Sequence, residues 1–194
     1  IIIKKNLESI LSKNINRSVK IIDFNVGYLS GEIILKKIEI SNKDFPGKLL
    51  VVDQAIAELD FLSFFDDVLV IDKITLDGIN LNYYFDITNI SKSNFTSLKR
   101  TLESKISTNK KSNDKNFLVK QLDIKDINIS ASSTKLNLAQ TVKLSDMKFE
   151  NLGNTKESKN YKSIAKKTID KAFNELKGKL TSGAFDQNAI KDKI

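Results

Sequence analysis

Apolar and polar residues alternate at period two in run after run of this chain, and that alternation limits it to strands that each bury one face. The pattern recurs as Lys37-Ile38-Glu39-Ile40-Ser41-Asn42, as Lys73-Ile74-Thr75-Leu76-Asp77-Gly78-Ile79-Asn80-Leu81, and as Gln121-Leu122-Asp123-Ile124-Lys125-Asp126-Ile127-Asn128-Ile129. Each copy reads as a strand. The second and third turn straight into a following strand, so the repeat predicts one sheet extended by similar hairpins. Its apolar face would carry Ile34, Ile38, Ile40, Ile74, Leu76, Ile79, Leu81, Leu122, Ile124, Ile127 and Ile129. Such a face has to be covered. A helix of the chain and lipid acyl chains are both candidates, and the sequence leaves both open.

The spacing elsewhere completes an α+β expectation. A short helix over 4–16 places Leu7, Ile10, Leu11 and Ile15 on one stripe. Strands follow at 20–28 and about 34–40, joined through Ser30-Gly31, then at 49–60. Phe61-Leu62-Ser63-Phe64-Phe65-Asp66-Asp67 looks like one helical turn with aromatic anchors, and 68–77 with 79–85 like a strand pair around Asp77-Gly78. A middle helix at 94–107 carries Phe95, Leu98, Leu102 and Ile106. Further strands are expected at 117–133, 135–139 and 142–150, and a long amphipathic helix at 158–182. The predicted architecture is a curved, mostly antiparallel, groove-like sheet with a short N-terminal helix, a middle helix and a long C-terminal amphipathic helix. Its divisions are 1–16, the N-terminal helix continuing a lost membrane anchor; 17–107, the sheet module with its helix 94–107; 108–116, a linker; 117–157, more sheet; and 158–194, the terminal helix and tail.

Composition removes most chemistries. The 194 residues include no Cys and no His, which excludes disulfides, thiol nucleophiles, Cys/His zinc sites and a Ser-His-Asp triad. Asp66-Asp67 is the one adjacent acidic pair outside any larger motif and reads as a solvated turn. Gly47-Lys48 and Gly178-Lys179 lack the other parts of a phosphate-binding loop. No catalysis and no cofactor are expected.

The net charge of +8 is uneven. Residues 61–90 hold 1 basic and 5 acidic groups, whereas 91–194 hold 22 and 11. Lys outnumbers Arg 30 to 2, as codon bias toward AT would give, and Arg is the residue that grips phosphate bidentately. No basic–aromatic interleaving points to nucleic acid. The basic balance reads first as a solvated lysine-rich surface; attraction to anionic lipid is the alternative, through a basic helix face of Lys162, Lys166, Lys167, Lys171 and Lys177. At the other end, Ile1-Ile2-Ile3-Lys4-Lys5 has the form of a membrane helix ending at an interface, an apolar run followed by snorkelling cations.

Taken in order, Leu11-Ser12 through Arg17-Ser18-Val19, Ile38 through Asn42, Phe45-Pro46-Gly47, Leu59-Asp60-Phe61-Leu62 and Val70-Ile71-Asp72-Lys73-Ile74-Thr75-Leu76-Asp77-Gly78 resemble the N-terminal module of the AsmA-like family. Asn94-Phe95 with Leu98, the block Phe117 to Ile129, and Asn151-Leu152-Gly153 resemble the later parts of its short members. The resemblance implies an inner-membrane anchor and a body in the periplasm. It also implies kinship with bridge-like lipid transfer proteins, whose apolar β-groove shields acyl chains in phospholipid transport and outer-membrane homeostasis. Eight or nine strands at 4.7–4.9 Å spacing make a sheet of only ~40 Å, so this chain is expected to be a segment or accessory of such a conduit. The expected partners are membrane phospholipid and other envelope proteins. The alternative expectation is a non-enzymatic structural or adaptor subunit of a larger envelope complex.

Overall fold

Ile, Val and Leu at alternate positions favour a pleated backbone, and strands take up most of the described chain. The computed structural model describes residues 2–27, 29–43, 45–86, 89–107, 116–133 and 139–179. Helix α1 (Ile2–Ile15) leads into strands β1 (Val19–Gly27), β2 (Glu32–Ser41) and β3 (Lys48–Leu59). One 3-10 turn (Phe61–Phe65) precedes β4 (Val68–Asp86) and β5 (Asn89–Ser93), followed by α2 (Asn94–Ser107). Strands β6 (Asn116–Ile124), β7 (Ile127–Ser133), β8 (Ala139–Leu144), β9 (Met147–Gly153) and β10 (Lys159–Asn160) come next, and then α3 (Tyr161–Lys179).

All ten strands form one sheet around β4, which runs for 19 residues. Strand β3 lies antiparallel along one of its edges. On the other edge β6 pairs with its first half and β7 with its second, both parallel. Strands β9 and β8 then pair antiparallel with β6 and β7.

Three expectations are corrected. The α+β class gives way to a mostly-β chain with three short helices. The long terminal amphipathic helix over 158–182 is absent from the described residues. Lys159 and Asn160 are spent on strand β10, the Asn160 side chain accepts from Ser163 N–H at 3.3 Å, and the helix described from there is short. Finally, Asp77-Gly78 is no hairpin turn. Only Gly78 of the two has a positive φ, +66°, and the chain runs straight on as β4. The second and third repeats therefore lie side by side in parallel, Ile74 beside Leu122, Ile79 beside Ile127 and Leu81 beside Ile129. The expected linker falls outside the described residues up to 115, as do most of the 135–139 strand, the tail beyond 179 and Ile1.

A transverse crease organises the sheet. Five strands or strand pairs interrupt their alternation with two polar or small residues: Leu35-Lys36-Lys37-Ile38, Val52-Asp53-Gln54-Ala55, Leu76-Asp77-Gly78-Ile79, Ile124-Lys125-Asp126-Ile127 and Leu144-Ser145-Asp146-Met147. These steps line up in register. Above them runs the ladder Ile21–Ile38–Val52–Ile79–Ile127–Leu144; below runs Phe24–Leu35–Ala55–Leu76–Ile124–Met147. Leu35 and Ile38 share a buried cluster, as do Val52 and Ala55, so the step keeps both ladders on one face. Lys37, Gly78 and Asp126 supply the change of phase with φ of +52°, +66° and +46°. The left-handed region costs a residue with a Cβ ~1–2 kcal/mol. Gly78 is needed for a second reason, because a Cβ there would sit 2.5 Å from Asp53 Oδ2 and 2.8 Å from Asp53 Cβ. Gly78→Ala should therefore cost about 2–3 kcal/mol, read as a shift in the urea midpoint, and about 1 kcal/mol less in an Asp53→Gly background.

Strand β1 would leave an open sheet edge, which α1 closes. Lys4, Glu8 and Ser12 stand one turn apart on the helix. Val19 N–H donates to Ser12 Oγ at 2.9 Å, Ile21 N–H donates to Glu8 Oε1 at 2.7 Å, and Lys4 Nζ donates to the Ile22 carbonyl at 3.0 Å. On its inner side, Leu7, Leu11 and Ile15 pack against Val19, Ile21 and Ile38. Ile21 is fully buried, so its N–H has no solvent to turn to. Glu8→Ala should destabilise the fold by about 1–2 kcal/mol and speed exchange of the Ile21 amide, measurable by hydrogen–deuterium exchange.

Candidate functional site

The apolar face divides at the crease. Above it, the helices close the face. Phe95 of α2 packs on Tyr83 of β4 edge to face at 6.4 Å, and Tyr83 stacks on Phe85 at 5.5 Å. Burial holds the Tyr83 phenol above its usual pKa. The N-terminus of α2 is tied to β4 by Asn94, which is 1% exposed. Its Oδ1 accepts from Tyr84 N–H at 3.0 Å, and its Nδ2 donates to the Asn82 carbonyl at 2.6 Å and to Asn42 Oδ1 at 3.1 Å. Ser93 caps the helix, its Oγ accepting from Thr96 N–H at 3.1 Å. Lys99 then pairs with Asp170 of α3 at 2.7 Å, and Ala172 of α3 packs on the same core. Asn94→Ala removes three hydrogen bonds from a buried side chain and should cost about 1–3 kcal/mol, seen as a lowered thermal midpoint.

Below the crease the cover thins. Ile33, Ala57, Ile74 and Leu122 are half-buried and belong to neither buried cluster. None of the three α-helices has its main seat on β2, β3 or β6; they rest on β1, on β4 and β5, and on β8 to β10. Of the sequence-predicted face, Ile38, Leu81, Ile127 and Ile129 are buried in the two clusters. Ile40, Leu76, Ile79 and Ile124 pack against them, and Ile74 and Leu122 lie on the thinly covered part. Ile34 pairs with Ile56, one position out of phase with Leu35, and so projects from the opposite face.

That opposite face is polar at the crease. A furrow of about 380 Å³ is lined by Lys36, Asp53, Gln54, Asp77, Gly78 and Asp126. Asp126 N–H donates to Asp146 Oδ1 at 3.1 Å, and Lys143 Nζ reaches Asp126 Oδ1 at 2.8 Å. The Lys143 hydrogen bond holds the Asp126 carboxyl below its usual range. Among the described residues no three Asp or Glu side chains stand where they could hold a metal ion. A second cavity, about 210 Å³, lies between β9 and α3 and is lined by Phe149, Leu152 and Ile164 with Lys148, Glu150 and Lys159. It falls below the usual volume of a small-molecule site, about 300 Å³ upward. Asp66 and Asp67 are exposed beyond the 3-10 turn.

The expected membrane-contact residues are scattered. Ile3 is exposed at 59%, Lys5 is exposed and Lys4 is half-buried against β1. Lys167 and Lys171 are exposed on α3; the side chains of Ile2, Lys162, Lys166 and Lys177 fall outside the description, and so does Ile1. Among the described residues no helix is long and apolar enough to cross a membrane. Sequence reading passed over two features of this face, the pinning Asn94 and the crease. The crease had a signal, the doubled polar step at the centre of each alternating run. No protein-family model matches the chain, and a search of curated proteins returns no match.

Proposed function

We propose that this protein is a non-enzymatic envelope module of AsmA-like character that shelters lipid acyl chains on the lower, thinly covered half of its apolar sheet face. The observation that carries this reading is that Ile33, Ala57, Ile74 and Leu122, side by side on the apolar face below the crease, are half-buried and belong to neither buried cluster. Each methylene moved from water onto such a face gains about 0.8 kcal/mol, so a strip of half-buried Ile, Leu and Ala supplies affinity with no headgroup pocket. The order of motifs shared with that family supports the same reading. The membrane anchor, the periplasmic setting and a part in phospholipid transport follow from it as further parts of the proposal.

Organic extraction of the purified protein followed by mass spectrometry should recover phospholipid. Ile74→Asp with Leu122→Asp should abolish that recovery while leaving the helix-covered core intact by circular dichroism. Lipid-free protein recovered in a stable complex with other envelope proteins would instead favour the structural or adaptor role.

A further inference from the structure

We propose that the end of the sheet formed by the β1–β2 turn and the β3–β4 connection is a membrane-docking end, whose apolar side chains enter the interface of a zwitterionic bilayer. The side chains there are unusually bare: Leu29 is 103% exposed, Phe65 91%, Leu62 79%, Phe64 46% and Phe61 38%. Among the described residues, the other large apolar side chains this exposed are Ile3, Ile10 and Ile22. The two turns are neighbours, since Leu59 N–H donates to the Gly31 carbonyl at 2.9 Å. Helix α1 runs antiparallel to β1, as Ser12, Glu8 and Lys4 meet Val19, Ile21 and Ile22 in turn, so its first residues point toward the close of β1.

The aromatic turn is held rigid from behind. Ser63 is 2% exposed; its Oγ donates to the Asp60 carbonyl at 2.6 Å and accepts from Val70 N–H at 2.8 Å. Asp60 Oδ1 caps the turn by accepting from Leu62 N–H at 3.1 Å. Burying Ser63 turns Leu62, Phe64 and Phe65 outward, and a preorganised turn loses little freedom on insertion.

Charge selects among surfaces. The acids Asp60, Asp66 and Asp67 bracket the aromatics, and no Lys or Arg lies between Lys48 and Lys73. An anionic surface would repel this end, whereas a zwitterionic interface accepts Phe and Leu without a charge requirement. Side chains as bare as Leu29 and Phe65 also suit a medium that deforms around them. Strands β3 and β4 carry the thinly covered half of the apolar face down to this end, so an acyl chain leaving the bilayer would meet it there. The proposal rests on the lipid-sheltering reading for its purpose, but docking is measured without any lipid transfer.

The chain has no Trp, so Phe65→Trp provides a single tryptophan that can be excited apart from the tyrosines. Added to phosphatidylcholine vesicles, the full chain carrying it should show a blue shift and quenching by brominated acyl chains, unchanged between about 0.05 and about 0.5 M salt. Followed by vesicle flotation, Leu62→Asp with Phe65→Asp should lower the bound fraction at least about tenfold at an unchanged thermal midpoint, because both side chains are exposed. Lys167→Glu with Lys171→Glu should leave binding as it was. The proposal is overturned by the absence of any blue shift. It is equally overturned by binding that needs anionic lipid and is lost in salt, or by a shift that follows protein concentration without vesicles, which marks a protein–protein surface. Docking with no co-purifying lipid would sustain this proposal and sink the sheltering role alone.

Discussion

Everything in this fold depends on keeping two apolar ladders on one face of the sheet across a line where the pleat changes phase. A strand that alternates strictly would turn its second half over at such a line and send its isoleucines into water. The chain avoids that by taking the same two-residue step in neighbouring strands at the same height. Three of the steps place a residue in the left-handed region, at Lys37, Gly78 and Asp126, all on strands that run in one direction. A lone step would break register with its neighbours. Taken together the steps leave register intact, so Ile38 still meets Val52 and Val52 still meets Ile79.

The crease also decides where helices are needed. Above it the strands carry Tyr83, Phe85 and Leu81 in a buried cluster with Phe95 of α2, while α1 lies along β1 and α3 rests on β8 above the crease and on β9 and β10 below it. Each is tied to the sheet by polar contacts as well as apolar ones: α1 through Ser12 and Glu8, α2 through Asn94, and α3 through α2 by Lys99 and Asp170. The exposed pair contributes little; Asn94 contributes more, because it is itself buried and satisfies a backbone N–H, a backbone carbonyl and the Asn42 side chain at once. Below the crease Met147 and Leu152 are buried, but Ile33, Ala57, Ile74 and Leu122 are only half-buried, and the lipid-sheltering proposal concerns that strip.

Much of the sheet was legible in the sequence, because period-two alternation is a direct trace of a half-buried strand. Strands β1 to β4, and β6 with β7, stand close to where the isoleucines predict them. What alternation could not convey was connectivity. Asp77-Gly78 has the composition of a hairpin turn, and only the sign of φ at Asp77 separates a reversal from a crease. With that reversal gone, the repeats pair in parallel and not as successive hairpins. The apolar face was legible except at Ile34, where the Lys36-Lys37 step shifts the phase. The terminal helix was overdrawn because a lysine-rich stripe looks the same on a short helix as on a long one. The exposed aromatics were visible as aromatics, but their outward direction comes from the burial of Ser63, which nothing in the sequence announces.

The central place of β4 has a consequence for how the chain is made. Strands β1 to β4 meander and can assemble as they leave the ribosome, since each pairs with the strand before it. The far edge of β4 cannot be closed until residues from 116 onward arrive. Until then a strand rich in Ile, Leu and Tyr has one long unpaired edge, because β5 pairs with its end on the β3 side. Such an edge is where nascent chains pair wrongly. Parallel pairing with β6 and β7 is non-local and therefore slow to form. The late-made half of this protein thus protects the early-made half from its neighbours.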